Sequence, residues 1–280
     1  MPDTPLHDFS VPLSRIPVEE KTERAGSFGT VASHYERYRP GPPDAAVDWI
    51  IPAGVDTVVD LGAGTGALTR LLVGRAADVV AVEPDDRMRA VLRDEVPGAR
   101  ALEGRGESIP LPDGSVDAVI ASSSWHWMDP VPTLIEVGRV LRPQGVLGAL
   151  WSGPDPEGPF ISQARALLAA GSGAADGGEG GMRELILGDG SRPASTLEIP
   201  PDVPFGPPER EVFTWDMALD ADELIGLLGT FSWVILLPEE QRTRVCDEAR
   251  RLLRDLLGVE GEVTVDVDFR CDAWKAGRSP

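Results

Sequence analysis

Asp60 and Glu83 are the residues from which chemistry is most directly read. The run Val58-Val59-Asp60-Leu61 is apolar except for its acid and passes into Gly62-Ala63-Gly64-Thr65-Gly66, after which Ala67 to Leu72 has a helical pattern. Glycines in such a place allow unusual dihedrals and let a ligand approach the backbone. The next apolar run, Val79 to Val82, ends in Glu83, which stands about 20 residues beyond the glycines, where a nucleotide-binding βαβ unit carries its ribose-binding carboxylate. Asp60 sits where its charge would repel a diphosphate at the helix N-terminus but would accept hydrogen bonds from an α-amino group. The pair therefore points to a nucleoside ligand without phosphate.

His126 is the other reactive side chain, placed where the fourth predicted strand delivers its carboxyl end. Two readings stand for it: a base that takes a proton from a hydroxyl or an acidic carbon, or an imidazole that orders its loop between Trp125 and Trp127. Trp125, Trp127, Trp151 and Trp233 lie near predicted strand ends or in the C-terminal third, and suit a planar or apolar substrate pocket, with several of them serving as plain core. Cys246 and Cys271 are the two cysteines, without metal-ligand spacing, and are read as packing thiols. No metal site is expected.

These residues need strands to hold them. Short apolar runs at Thr57 to Leu61, Val79 to Glu83, Arg100 to Glu103, Val116 to Ser122 and Val146 to Trp151 alternate with helical stretches at Pro43 to Ile51, Ala67 to Val73, Asp85 to Val96 and Pro130 to Leu141. That order predicts an α/β fold with a parallel sheet and helices on both faces. A strand at Arg210 to Trp215, helices at Ala221 to Leu228 and Glu239 to Leu257, and a final strand at Glu262 to Ala273 follow. The final strand has Val263, Val265, Val267, Phe269 and Cys271 on one face.

The chain of 280 residues divides on this reading into an arm or lid at 1–26, a nucleoside-binding core at 27–152, a flexible Gly/Pro-rich insertion at 153–208 and a C-terminal part at 209–280 that completes the sheet and adds cap helices. The arm and the glycine-rich stretch from Ala169 to Gly181 have the composition of segments that order on binding, so one of them is expected to close the pocket near His126 and Arg39; disordered spacers are the other reading. Lys plus Arg number 26 against 46 Asp plus Glu, for a net charge of −20, without a basic stripe. Nucleic acid and anionic membranes are therefore poor partners. The beginning of the chain lacks the basic patch and apolar run of a secretory signal, no apolar stretch reaches spanning length, and a cytoplasmic location is expected.

Asp60-Leu61-Gly62-Ala63-Gly64-Thr65-Gly66 resembles the first motif of class I S-adenosylmethionine methyltransferases, Val82-Glu83-Pro84 their second, and Gly104 to Asp117 (GRGESIPLPDGSVD) their third. Within that class the chain is most similar to the methyltransferase type 11 family, in particular its trans-aconitate methyltransferase-like members. Those carry counterparts of Tyr35-Glu36-Arg37-Tyr38-Arg39-Pro40 and of His126-Trp127-Met128-Asp129. The likeness is strong from about Phe28 to Trp151, weaker from Arg210 to Trp274, and absent from the arm and the insertion.

The resemblance implies a seven-stranded, Rossmann-like sheet with one reversed strand, Glu262 to Ala273. It also implies S-adenosylmethionine as cofactor and a small-molecule acceptor that the sequence does not identify, on O, N or C; a protein that binds the cofactor without transferring methyl is the alternative. Oligomeric state is not read from the sequence. Carried over residue by residue, Gly62, Ala63 and Gly64 line the methionine part of the cofactor and Asp60 contacts it. Glu83 binds both ribose hydroxyls, Pro84 and Met88 flank the adenine, Gly106 and Glu107 reach its edge, and Ser122 faces the sulfonium. Arg39 meets the cofactor carboxylate with Tyr35 closing over it. Competing structural roles stay open for several: Tyr35, Tyr38 and Arg39 as pins for an N-terminal helix, Met88 as packing, and Glu107 through its backbone alone.

Overall fold

The computed structural model describes residues 34, 37–162, 196–235, 237–258 and 260–279. In chain order the elements are α1 (Asp44–Ile50), β1 (Thr57–Leu61), α2 (Ala67–Leu72), β2 (Asp78–Val82), α3 (Asp86–Glu95), β3 (Arg100–Leu102), β4 (Val116–Ser122), α4 (Pro130–Val140), β5 (Leu141–Pro154), β6 (Glu209–Leu219), α5 (Ala221–Leu228), α6 (Glu239–Leu257) and β7 (Val265–Gly277). The described residues also form a 3₁₀ turn at Trp125–Trp127 and a helical turn at Ser232–Ile235.

The strands form one seven-stranded sheet in the order β3-β2-β1-β4-β5-β7-β6. The first five are mutually parallel, whereas β7 runs antiparallel to both β5 and β6. The reversed strand is thus the final one, as expected. Its bounds differ: it starts at Val265 and continues to Gly277, because pairing with β5 from Val146↔Gly277 to Pro154↔Phe269 extends both strands past their apolar runs. Val267, Phe269, Cys271 and Ala273 point inward and are fully buried, while Val263 precedes the strand, just past the turn at Gly261 (φ 61°), and is exposed.

Successive residues of β1 and β4 are buried on opposite faces, since both faces of a parallel sheet are covered. On one side Val59, Leu61, Val119, Leu147 and Ala149 pack against Leu134 and Val137 of α4. On the other, Val58, Ala118, Ile120 and Leu150 pack against Val47 and Ile50 of α1 and Leu68 and Leu72 of α2. Asp85 caps α3 by accepting from the amides of Arg87 and Met88. Asp220 and Glu223 form a capping box on α5.

Ile225 and Leu228 of α5, Val234, and Val245, Ala249 and Leu253 of α6 make a further apolar cluster, against which Val265 of β7 packs. The arm 1–26 and the stretch from Ala169 to Gly181 lie outside the described residues. Of the segment read as a flexible insertion, the described tail is packed: Leu197, Val203 and Phe205 are buried in the core on the α4 side.

Candidate active site

The strand order reverses between β1 and β4, and the crevice at their carboxyl ends is where open α/β sheets bind ligands. A cavity of about 610 Å³ lies there. Its floor is the turn between β1 and α2, where Gly62, Gly64 and Gly66 stand at φ 69°, 57° and 100°. At Gly62 a Cβ would lie 2.6 Å from the Cβ of Ser124, so only glycine fits; at Gly64 it would meet nothing within 4 Å, leaving the backbone open to a ligand. The amides of Gly62 and Ala63 both donate to the Val82 carbonyl, 2.8 and 3.2 Å, which ties this turn to the end of β2.

Asp60 is 1 % exposed. Its Oδ2 accepts from Thr69 Oγ1 at 2.6 Å, and its Oδ1 has no hydrogen-bond partner among the described residues. Burial, reinforced by the nearby charge of Glu83 and opposed by the Thr69 hydrogen bond, pushes its pKa up to about 7. Glu83 is held by two backbone amides, from Gly64 to Oε2 and from Asp85 to Oε1, both at 2.9 Å. Burial likewise raises its pKa, against those two hydrogen bonds. Two buried carboxylates therefore face one cavity, and the first has an oxygen in want of a donor. An ammonium group at Oδ1 would satisfy that oxygen and hold Asp60 ionised. Thr65 Oγ1, also buried and without a hydrogen-bond partner among the described residues, stands in the same wall.

The structure brings together on this wall Arg39, Asp60, Gly62, Ala63, Gly64, Glu83, Pro84, Met88, Gly106, Glu107, Ser122 and Trp127 from the sequence reading. Met88 is 3 % exposed, so it packs and lines at once. Glu107 Oε1 accepts from the amide of Asp129 at 2.7 Å, a side-chain role in holding the loop after the 3₁₀ turn. Arg39 Nη2 donates to the carbonyl of Ser152 at 3.3 Å, and its Cζ lies 5.1 Å from the Phe231 ring centre. Tyr38 lies on Gly226 of α5, where a Cβ would sit 2.3 Å from the ring, and His34 Nε2 is 2.9 Å from the Gly226 carbonyl. The segment before α1 is thereby pinned to the cap, while Arg39 turns to the cavity. Tyr35 and the side chain of Trp233 lie outside the described residues.

Trp125, His126 and Trp151 are not brought to the cavity wall. The 3₁₀ turn sends Trp127 to the cavity and Trp125 into the core beside α4, where Trp151 is buried as well. Trp151 Nε1 donates to His126 Nδ1 at 3.2 Å, which places the imidazole proton on Nε2 and occupies the other nitrogen. That arrangement favours the loop-ordering reading of His126 over the base.

The sequence reading missed Thr65, Ser123, Ser152 and Arg89 on the same wall. Arg89 is buried, and its Nη1 donates to the carbonyls of Glu83 and Pro84 at 2.7 and 2.6 Å, fixing the turn after β2. Its signal was present: an arginine following Met88 on the inner side of a capped helix. Among the described residues there is no cluster of His, Cys, Asp and Glu able to hold a metal, and no helix long and apolar enough to cross a membrane.

Comparison with known proteins agrees with this geometry. Residues 59–149 match the model of a family described as a methyltransferase domain. An uncharacterized methyltransferase of Mycobacterium tuberculosis (strain H37Rv) is 40 % identical over 227 residues, 81 % of this chain and 85 % of that protein. A methyltransferase-like protein of Schizosaccharomyces pombe, also uncharacterized, is 28 % identical over 265 residues, 91 % of this chain and 96 % of its own length. A solved structure of a candidate type II methyltransferase from Anaeromyxobacter dehalogenans superposes with a TM-score of 0.57 at 25 % identity, covering 86 % of this chain and 98 % of that one.

Proposed function

The chain belongs to the methyltransferase family, whose cofactor is S-adenosylmethionine, and on that premise we propose that its cavity holds this cofactor and passes the methyl group to a small-molecule acceptor. The observation that carries the reading is the orphaned Oδ1 of Asp60 beside Glu83, over a glycine turn with room for a ligand.

When bound, the cofactor supplies a methyl group on a cationic sulfur, and transfer to a lone pair of the acceptor leaves the carbon–sulfur electron pair on neutral S-adenosylhomocysteine. The chain's own part is binding, orientation and exclusion of water. Asp60 Oδ1 would accept from the α-ammonium group. The free lone pairs of Glu83 would take the ribose hydroxyls, its carboxylate being already set by the amides of Gly64 and Asp85. Pro84, Met88 and the backbone at Gly106 would frame the adenine, with Gly62, Ala63 and Gly64 along the methionine chain and Ser122 toward the sulfur. Arg39, with no carboxylate in ion-pairing range among the described residues, would meet the cofactor carboxylate with the N–H groups not given to Ser152.

The acidic charge of the chain and its lack of a basic stripe support a small acceptor over a nucleic acid. Calorimetry with S-adenosylhomocysteine and NADH tests cofactor choice: binding of the first and not the second is expected, and the reverse would overturn the reading. Incubation with S-adenosylmethionine and the small-molecule fraction of a cell extract, followed by mass spectrometry, should yield a product heavier by one methyl group.

A further inference from the structure

The cavity changes character from one end to the other. Its buried carboxylates, Asp60 and Glu83, stand on β1 and at the residue after β2, and Asp85, Asp86, Glu103 and Glu107 follow from the segments after β2 and β3, whereas the end at β4 and β5 is lined by Ser122, Ser123, Ser124, Ser152 and Trp127. Since the strands lie in the order β3-β2-β1-β4-β5, a nucleoside with its ribose at Glu83 and its ammonium at Asp60 leaves the β5 end for a second molecule.

Two residues there, Ser152 through its hydroxyl and Ser123, are not among those assigned to the cofactor. Ser152 is 8 % exposed, and its buried Oγ has no hydrogen-bond partner among the described residues. A buried hydroxyl without a partner is an exception that calls for a ligand or another explanation. It is not loose: Ser152 pairs with Cys271 on β7, and its carbonyl receives Arg39 Nη2. Ser124, by contrast, has already given its hydroxyl to the Leu61 carbonyl at 2.7 Å. Ser123 is held at φ 52° with its amide donating to Leu150 O at 2.7 Å, a strained conformation of the kind that collects at binding sites. This turn at the end of β4 keeps Ser122 and Ser123 on the cavity wall beside β5.

We propose that the Ser152 hydroxyl positions the methyl acceptor, and that the site selects a molecule with a hydroxyl or carbonyl oxygen on a flat ring lying against Trp127. A serine hydroxyl both donates and accepts, so either oxygen type serves, and a site built around such a bond rejects the analogue that lacks it. The proposal rests on the reading of the cavity as an S-adenosylmethionine site.

The test uses phenol and toluene, rings of similar size that differ in the hydroxyl, titrated into the protein saturated with S-adenosylhomocysteine and followed by ligand-observed NMR. Phenol is expected to bind about tenfold more tightly than toluene to the unaltered protein, and Ser152→Ala to abolish that preference. The variant should keep its affinity for S-adenosylhomocysteine within about twofold and its Tm at or above that of the parent, because it removes a buried hydroxyl that had no partner. Equal binding of the two rings, absence of phenol binding, or an unchanged preference in Ser152→Ala overturns the proposal. So does a lowered Tm, which would make the hydroxyl structural, or a tenfold loss of S-adenosylhomocysteine affinity, which would make it a cofactor contact. Failure of the unaltered protein to bind S-adenosylhomocysteine at all would instead strike the proposed function.

Discussion

Replacing Asp60 with asparagine isolates the buried charge at the floor of the cavity. Oδ2 is engaged by Thr69, and the amide oxygen of asparagine can accept that same bond, so the change removes charge with little change of shape. With a folded-state pKa of about 7 against 3.8, the folded protein keeps this proton where the unfolded chain has lost it. Stability from this group is therefore fully present below about pH 4, declines by about 1.4 kcal/mol for each unit up to about pH 7, and is flat above that. The cofactor-free Asp60→Asn protein should accordingly be close to wild type at pH 4, more stable by about 1.5 kcal/mol at pH 5, and by as much as about 4 kcal/mol at pH 8. Thermal or urea unfolding at those pH values measures the difference. In saturating S-adenosylhomocysteine at pH 7.5 that advantage should shrink by about 1.5 to 3 kcal/mol, because the loss of a charge-assisted hydrogen bond weakens binding by about 10- to 150-fold. A stability difference that does not grow between pH 5 and pH 8, or undiminished affinity, would refute the assignment of Asp60 as a buried titrating partner of the ligand's ammonium group.

Glu83→Gln should lower affinity for S-adenosylhomocysteine by about tenfold or more in calorimetry while leaving the protein folded, since the amide oxygen still accepts from one of the two anchoring N–H groups. Gly62→Ala should lose about 1 to 3 kcal/mol of stability in urea and most cofactor binding, because a β-carbon at φ 69° would stand 2.6 Å from Ser124. Gly226→Ala should expel the Tyr38 ring from the cap, seen as faster proteolysis near Tyr38 while the melting of the sheet core stays near wild type.

Several strands and the two C-terminal helices were legible because local signals agree there. β1, β4, α5 and α6 have the bounds that their apolar periods and flanking signals dictate, and Asp60 and Glu83 fall where the strand ends must place them. The β4–β5 end was less legible, since the readings of Trp125, His126 and Trp151 depended on the rotation of one 3₁₀ turn, which composition does not encode. Ser152 gave no signal in sequence: it became visible only as a hydroxyl without a partner, a property of its surroundings. The contact of Tyr38 with Gly226 joins residues far apart in the chain, and neither local pattern announces the other. Strand β5 proved longer than its hydrophobic run because its end, Ser152 to Pro154, is paired with β7 and its start at Leu141 with Val116 of β4.

The position of β7 has a consequence for assembly. Among the described residues it comes last of the seven strands, yet it lies between β5 and β6, and β6 pairs with no other strand there. During synthesis β1 to β5 can pair as they emerge, but β6 must wait with its ladder groups unpaired until more than forty further residues have been made, on the order of seconds at ribosomal speed. Interruption before Val265 would leave two strands exposed, an edge open to aggregation. A nascent chain stalled there should need a chaperone, whereas release of β7 should close the sheet in one step.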